Sequence, residues 1–595
     1  MNKGKSFEGF EVTMNEVRMS IKMYSTIGFG LILIGAAIIL VHNTMANELL
    51  WKQYISLLGY SIKAHDKLLF NRLAKLIPSL LAMDKSFAIM VGIGFVPCFW
   101  LAIKFFKYRA IKQRMSEYIR GAQMVPVSWV QGKLLFKRKN IPIGEVKMLV
   151  KDETGHVFII GKTRTGKSVL LKRVVSHLQT TGCKIIVYEN KGDFLPAFFR
   201  PMIDKLFCPV DGRSLLWSIW NDIRTVMDID QVICWGLIPQ EPNKDQFWSN
   251  AAREVLRGGL YFLMRTTKGK VTNAQIYSFF TSGASNIASC IKQVPEGQTG
   301  YEMISDPESK QTQGVLSTLL NYISCLRYIK DQDGDFSIRD WIRQEGPGTL
   351  FLMNVSATKD VLKPLLTLML EIASQELLSM PEDLKRRRYI ILDEFGTLHP
   401  MNSIIELLTR GGGMGASVWV GTQDVGQIDQ RYGNNLRKTI INSCGTKLIL
   451  SVDESDTKEY LSNLISDIEI SEVNDTNSMG INSFRDGKSI TRSTRVKRLV
   501  LPSELDSLKV LTAILKLPAF PYTKIKIPIM KYSIKNEQLV MREELLLENL
   551  IKGDPALTPS IPDNGQSMPV EMSILPLSKN HDGTTSEVSH EIDID

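Results

Sequence analysis

The stretch Gly161 to Ser168, GKTRTGKS, constrains the fold more than any other part of the chain. It matches the phosphate-loop pattern G-x-x-x-x-G-K-[ST] and directly follows His156 to Ile160, an apolar run suited to a buried parallel strand. From Leu171 onward, apolar residues recur at the i, i+3, i+4 and i+7 positions of one helix face. This order of strand, loop and helix predicts an α/β fold in which the loop and the helix N-terminus bind phosphates.

The loop residues predict how ATP and Mg²⁺ are held. Lys167 is expected to reach the β and γ phosphates, and the Ser168 hydroxyl is expected to ligate Mg²⁺. The predicted ATP-binding residues are Gly161, Thr163, Thr165, Gly166, Lys167, Ser168 and Val169. The alternative is a glycine-containing loop that matches the pattern by coincidence.

A second predicted strand ends in two carboxylates. Tyr389 to Leu392 is a β-prone apolar run, and it is closed by Asp393 and Glu394. We expect Asp393 to hold Mg²⁺ through water, and Glu394 to polarise the attacking water as the catalytic base. The alternative is an ordinary strand that happens to end in two acids.

A third predicted strand, Ala416 to Val420, ends in the sequence Gly-Thr-Gln. A polar side chain at the tip of a strand beside the nucleotide-binding strand can report on the γ-phosphate. We therefore predict a catalytic role for Gln423, with an ordinary loop glutamine as the alternative.

The N-terminal hundred residues contain two apolar stretches that are long enough to cross a bilayer. Met23 to Val41 is nineteen residues without a charge, and Ser86 to Ile103 is eighteen more. The alternative for each is a buried core helix. The positive-inside rule does not decide the orientation, because residues 42–85 carry six Lys or Arg and Lys104 to Arg114 carries five. Because ATP is cytoplasmic, we predict a multi-pass protein of the bacterial inner membrane, with both termini and the ATPase domain in the cytoplasm.

The charge is divided unevenly along the chain. The whole chain has 72 basic and 62 acidic residues, a net charge of +10. Residues 552–595 contain eight acids, two lysines and five prolines, so they are predicted to be a disordered acidic tail with a net charge of −6. The rest of the chain is strongly basic, which suits an anionic partner such as DNA or a lipid surface. The seven cysteines are scattered and show no metal-binding spacing.

Two further regions differ from the α/β pattern. Between about 214 and 345 the apolar spacing is helical, and five of the nine tryptophans lie there, which we interpret as core residues rather than base-stacking platforms. Residues 466–498 are polar and end in a basic cluster, for which contact with DNA phosphate and a solvated loop are both open. The cluster comprises Arg485, Lys488, Arg492, Arg495, Lys497 and Arg498.

Taken together, these motifs resemble the type IV coupling proteins, the TraD-like membrane ATPases that feed DNA into conjugative secretion channels. The resemblance covers roughly residues 10 to 530 and rests on motif order as well as on the phosphate loop. The further shared stretches are IPIG (141–144), ETGH (153–156), YENKGDF (188–194), DGRSLLWSIW (211–220), DQFWSNAAR (245–253), FSIRDW (336–341), LDEFGTL (392–398) and LVLPSEL (499–505).

The resemblance implies a RecA-like P-loop motor domain with an inserted all-α domain. The expected organisation is a cytoplasmic lead-in (1–22), a transmembrane anchor (23–103) with a short periplasmic loop (42–85), a basic connector (104–130), the motor domain (131–213 and 346–550), the all-helical domain (214–345) and the acidic tail (551–595).

The resemblance also implies partners. These are DNA, single- or double-stranded, relaxosome proteins including the relaxase, components of the type IV secretion channel, membrane lipids and other copies of the chain in a homo-hexamer. Relatives often carry an arginine where this chain has Gly412 and Gly413, so Arg410 is the nearest candidate for an arginine offered across a subunit boundary.

Three functions remain open from the sequence. The first is an inner-membrane ATP-driven DNA translocase that couples the relaxosome to the secretion channel. A chromosome-segregation motor or a channel-energising secretion ATPase is a second choice within the same class. The third is an ATP-regulated substrate receptor that docks relaxosome or effector proteins without itself pumping DNA.

Overall fold

The computed structural model describes residues 21, 24–38, 40–42, 45, 48–81, 100–101, 104, 108, 117–240, 245–269, 271–478 and 487–546. Most of the predicted second span and all of the predicted acidic tail lie outside these residues.

Most strands of the described residues belong to one large sheet. The strands are β1 (Glu117–Gly121), β2 (Met124–Val125), β3 (Lys139–Ile143), β4 (Val146–Leu149), β5 (Val157–Ile160), β6 (Lys184–Glu189), β7 (Lys205–Phe207), β8 (Gly348–Met353), β9 (Arg388–Leu392), β10 (Ala416–Thr422), β11 (Thr446–Ile449), β12 (Asp467–Ser478), β13 (Gly487–Arg498), β14 (Thr512–Lys516) and β15 (Tyr522–Lys526). The large sheet has ten strands in the order β2-β15-β14-β11-β5-β10-β9-β6-β8-β7.

The centre of this sheet is parallel. Strand β5 pairs in parallel with β10 on one side and β11 on the other, and β10 pairs in parallel with β9. Both faces of β5 are covered, because Val157 and Ile159 face one apolar cluster and Phe158 and Ile160 face the other. The uninterrupted apolar runs of the sequence are therefore explained by burial on both faces.

The described helices precede, connect and follow these strands. They are α1 (Tyr24–His42), α2 (Glu48–Lys63), α3 (Lys67–Leu81), α4 (Val127–Leu134), α5 (Lys167–Thr180), α6 (Leu195–Phe198), α7 (Cys234–Leu237), α8 (Gln246–Thr266), α9 (Asn273–Phe280), α10 (Ala284–Ile291), α11 (Gln298–Met303), α12 (Lys310–Ile323), α13 (Ile338–Arg343), α14 (Lys359–Ser379), α15 (Asn402–Arg410), α16 (Val425–Ser443), α17 (Ser455–Ile465) and α18 (Pro502–Asp506).

The segment between β7 and β8 is helical and contains α7 to α13. Its longest helix, α8, begins where Asp245 accepts a hydrogen bond from the Phe247 amide, 3.0 Å away. Trp217 and Trp341 are buried in the core, and Trp220 and Trp248 pack against it. Trp235 is stacked by the Arg253 guanidinium at 3.8 Å. These contacts support the interpretation of the tryptophans as packing residues.

The N-terminal region contains one helix that is long and apolar enough to cross a membrane within the described residues, α1. Residues 42–85, which the sequence analysis treated as a short loop, contain the helices α2 and α3. These two helices pack against each other as an antiparallel hairpin, with the Tyr54 hydroxyl donating to the Leu73 carbonyl at 3.0 Å.

The polar region 466–498 is not a loop over its described part. Strands β12 and β13 pair antiparallel from Asp467 to Ser478, and β1 adds a third strand to form what we call the three-stranded sheet. The prediction of a loop is wrong here, because the described residues form paired strands. Ile468, Ile470 and Val496 are strand-forming residues whose signal the surrounding charges and serines obscure. The second half of the predicted connector is likewise part of the folded domain, since it contributes β1 and β2.

Candidate functional site

The phosphate loop joins the carboxyl end of β5 to the N-terminus of α5. Gly166 has φ of +117°, a conformation that residues with a Cβ rarely adopt. A Cβ on Gly161 would lie 2.7 Å from the Leu450 Cβ, so both glycines of the motif are required by the backbone. The Thr165 hydroxyl donates to the Lys162 carbonyl at 2.7 Å and closes the loop. The first amides of α5 have no acceptor within the helix and are therefore available to phosphate oxygens.

The predicted catalytic groups of three neighbouring strands lie together at the carboxyl edge of the sheet. Lys167 Nζ is 2.9 Å from Glu394 Oε2, and Gln423 Nε2 donates to the same oxygen at 3.0 Å. The side chains of Lys167 and Glu394 are only 9% and 11% exposed. The adjacency of β5, β10 and β9 explains this convergence, because the carboxyl ends of parallel strands share one edge.

Asp393 lies beside this group. Burial raises the pKa of its carboxyl. The charge of Lys167 lowers this pKa in part, whereas the negative charge of Glu394 raises it further. Asp393 Oδ1 and Glu394 Oε1 are both buried and have no hydrogen-bond partner among the described residues. Two partnerless buried carboxylate oxygens beside the Lys167 ammonium fit a Mg²⁺-nucleotide, whose cation and water would satisfy them.

The remaining predicted loop residues differ in exposure. Thr165 is buried, Val169 is half-buried and Thr163 is exposed. The Lys162 ammonium, which the sequence analysis left unassigned, bonds Asp453 Oδ1 at 2.5 Å and lies 3.7 Å from Asp506 Oδ1. These bonds tie the loop to the segment after β11, and no spacing in the sequence signals them because 291 residues separate the first pair.

A further buried carboxyl lies at the tip of β6, the neighbour of β9. Glu189 is 1% exposed, and its Oε2 accepts from the Phe194 amide at 3.1 Å. Burial raises the pKa of Glu189 to about 8. The sequence singled out YENKGDF as a shared stretch but assigned Glu189 no part in the site.

Arg410 does not join the other predicted catalytic residues. It ends α15, is 65% exposed and pairs with Glu406 at 2.5 Å. The chain then runs through five residues into the amino end of β10, so Arg410 lies at the edge of the sheet opposite to Glu394. A role in the site of its own chain is excluded by this placement, and a role across a subunit boundary stays a prediction.

Comparison with known proteins finds relatives among the conjugative coupling proteins. A family model described as the type IV secretion-system coupling protein DNA-binding domain matches residues 140–528. Coupling protein TraD of Escherichia coli strain K12 is 26% identical over 406 residues, which cover 67% of this chain and 56% of TraD. Conjugal transfer protein TraG of Escherichia coli is 23% identical over 52% of this chain and 54% of TraG. The chain thus spans a little over half the length of these relatives.

Solved structures show the same fold. The unbound conjugative coupling protein TrwBdeltaN70 superposes with a TM-score of 0.63 at 24% identity and covers 72% of this chain and 97% of its own. TrwB in complex with ADP and Mg²⁺ gives a TM-score of 0.62 at 23% identity, with 72% and 97% covered. The arrangement of a nucleotide-binding sheet with an inserted helical domain is therefore shared with TrwB, and with the family match over most of the chain it leads to one conclusion: the chain belongs to the type IV secretion-system coupling proteins of conjugation.

Proposed function

We propose that the chain is an ATP-driven DNA translocase of the bacterial inner membrane that couples the relaxosome to the type IV secretion channel. The observation that carries this proposal is the convergence of buried Lys167 and Glu394 with half-buried Gln423 beside the phosphate loop. A motor needs ATP hydrolysis, and hydrolysis needs a base that is held close to the γ-phosphate.

Different residues of the chain bind the phosphates, hold Mg²⁺ and activate the attacking water. The loop amides and Lys167 bind the phosphates, and Ser168 and Asp393 hold Mg²⁺, which supplies positive charge that stabilises the developing negative charge of phosphoryl transfer. Gln423 fixes one oxygen of Glu394, so the other oxygen, Oε1, is left to accept a proton from the attacking water. Lys167 has three N–H donors and uses one on Glu394, so the others can bond phosphate oxygens when nucleotide binds.

Several features of this function rest on family likeness. We propose a homo-hexamer in which Arg410 or another arginine completes the site of a neighbouring copy. The proposed partners are DNA, relaxosome proteins including the relaxase, the secretion channel and membrane lipids. The acidic tail, residues 551–595, is proposed to dock a basic relaxosome protein, because its net negative charge disfavours direct contact with DNA.

A translocation assay tests the proposal. The full chain in lipid nanodiscs is given DNA that carries a triplex-forming third strand, and ATP-dependent displacement of that strand is recorded. We expect displacement by the wild type and none by Glu394→Gln. ATP hydrolysis without displacement, and without any response to DNA, would favour the substrate-receptor function instead.

A further inference from the structure

The hairpin of α2 and α3 exposes many large apolar side chains. Its seam buries Tyr54, Ser61 and Leu73, whereas ten large apolar side chains between residues 48 and 81 are exposed. Isolated exposed apolar residues are ordinary on a protein surface, but contiguous patches indicate contact with another surface. Neither the nucleotide site nor the proposed motor function uses this hairpin.

The exposed apolar residues are ordered along the helices. On α3, Phe70 and Ile77 are seven residues apart and therefore lie one above the other, and they are 45% and 39% exposed. On α2, Ile55 and Ile62 repeat the same spacing and are 61% and 57% exposed. Each helix thus presents a continuous apolar stripe beside the seam.

The charge of the hairpin is positive. Residues 48–81 contain five Lys or Arg and two acids. Glu48 is paired with Lys52 at 2.6 Å, and Asp66 accepts amide hydrogen bonds at the start of α3, at 3.0 Å from the Leu68 nitrogen. Lys67, Arg72 and Lys75 are exposed on the side of α3 away from the seam. An apolar stripe on one side of a helix and basic residues on the other is the pattern of a helix that lies in a membrane interface.

The connections hold the hairpin near the bilayer. Five residues separate His42, the end of α1, from Glu48, the start of α2. Even a fully extended chain of this length reaches only about 20 Å. On the other side, the predicted second span begins at Ser86, five residues after the end of α3 at Leu81. A hairpin that is tied at both ends to spans cannot move far from the headgroup layer.

We propose that the α2–α3 hairpin lies flat on the outer leaflet of the membrane, with its apolar stripes in the headgroup and acyl boundary and its basic residues on anionic lipid phosphates. The short connections and the positive charge favour a lipid surface over a protein partner, because the bilayer is within reach at both ends and anionic lipid headgroups carry the complementary charge. The proposal also explains why the segment outside the membrane is basic, which the positive-inside rule does not.

Lipid quenching tests this placement in the full chain. A genetically encoded fluorescent residue is placed at Ile77, and a matched control carries it at Asn71, an exposed polar position of the same helix. The chain is reconstituted in nanodiscs of phosphatidylethanolamine and phosphatidylglycerol, with a nitroxide near the headgroup end of some acyl chains. We expect quenching at position 77 to exceed that at position 71 several-fold. Equal and weak quenching at both positions would overturn the proposal and leave the stripe to a protein partner.

A charge variant tests the recognition of headgroups. Lys67→Gln, Arg72→Gln and Lys75→Gln combined should reduce quenching at position 77 in the anionic discs, towards the value in discs of phosphatidylcholine alone. The matched control replaces Lys205, Lys268 and Lys310, three exposed lysines of the cytoplasmic part, and should leave quenching unchanged. If the hairpin variant is quenched as strongly as the wild type in anionic discs, binding to anionic headgroups is refuted.

Discussion

The carboxyl edge of the central sheet and the three-stranded sheet each join a lysine to a glutamate, but they do so in opposite environments. The side chains of Lys167 and Glu394 are 9% and 11% exposed, whereas those of Lys497 and Glu472 are 48% and 21% exposed. Removing one partner of a buried ion pair costs about 3–5 kcal/mol, because the other charge is left without solvent. An exposed pair is solvated with or without its partner, so the two pairs should differ in function although their chemistry is the same.

The environment also decides which charges are available to a ligand. At the central edge, Glu394 keeps one buried oxygen without a described partner. In the three-stranded sheet, Lys497 and Arg495 both contact Glu472, and Arg498 bonds Glu459 at 2.8 Å. The three basic residues at the end of β13 are thus paired with acids, whereas the site beside the phosphate loop keeps buried carboxylate oxygens without a described partner.

The largest effects are expected when Lys167 or Glu394, the two members of the buried ion pair, is replaced, and the two variants should differ. Lys167→Ala should weaken nucleotide binding and abolish turnover, because the phosphates lose their cation. Glu394→Gln should retain nucleotide and lose about 10²-fold or more in turnover, as expected when a general base is removed. Titration with a fluorescent ATP analogue, together with steady-state phosphate release, distinguishes the two variants. Equal losses of binding in both would break the assignment of separate roles.

The pH dependence of stability probes a buried carboxyl outside the site. Burial raises the pKa of Glu371 to about 7, against a hydrogen bond from Ser403. Because the folded-state pKa is raised, the contribution of Glu371 to stability is full below about pH 4.5 and is lost as the pH rises through about 7. Glu371→Gln should remove up to about 1.4 kcal/mol of stability change per pH unit in this window. Melting temperatures of the wild type and Glu371→Gln between pH 5 and pH 7.5 measure this change in stability. Parallel curves for the two proteins would refute the raised pKa of Glu371.

A smaller effect is expected at Gln423, which donates to Glu394 at 3.0 Å. A hydrogen bond to a charged group contributes about 1.5 kcal/mol or more, so Gln423→Ala should lower turnover roughly tenfold with little change in nucleotide affinity. Gln131→Ala, at an exposed glutamine of α4, serves as the control. Turnover that is equal in the two variants would mean that Gln423 does not position the base.

The smallest effect is expected in the three-stranded sheet. Replacing Lys497 and Arg495 by glutamine should change DNA affinity less than about twofold, because Glu472 already balances their charges. The slope of the logarithm of affinity against the logarithm of salt concentration should change by less than the amount expected for about one phosphate contact. Glu472→Gln should instead strengthen DNA binding by freeing both cations. Fluorescence anisotropy over a range of salt concentrations tests both. A steep loss of affinity in the first variant would establish the cluster as a DNA contact.

The sequence predicted those parts of the molecule whose signal is local. The phosphate loop, the carboxylates after β9 and the glutamine after β10 each follow an apolar run that is buried on both faces, and the structure brings all three to one edge. Chain order could not place Arg410, because its position depends on where α15 ends relative to the sheet. The strands of 466–498 were missed because their charged and polar side chains alternate with too few apolar ones.

Several stretches that resemble the coupling proteins act in packing rather than at the site. In ETGH, the buried Glu153 pairs with Arg387 at 2.9 Å, and His156 Nδ1 accepts from the Val418 amide at 3.0 Å. Burial lowers the pKa of His156 to about 4, so its ring is neutral. In FSIRDW, Arg339 is held by Asp228 and Glu376. A sequence alone does not distinguish such buried pairs from catalytic ones, since both place charged residues beside apolar runs.

ATP turnover by the full chain in lipid nanodiscs, measured with and without DNA, tests the central claim most directly. The account predicts that DNA raises turnover by the wild type, that its effect weakens as salt increases, and that Glu394→Gln stays about 10²-fold lower under both conditions. The account would be contradicted if turnover by the wild type did not change when DNA is added. It would also be contradicted if Glu394→Gln hydrolysed ATP at the wild-type rate.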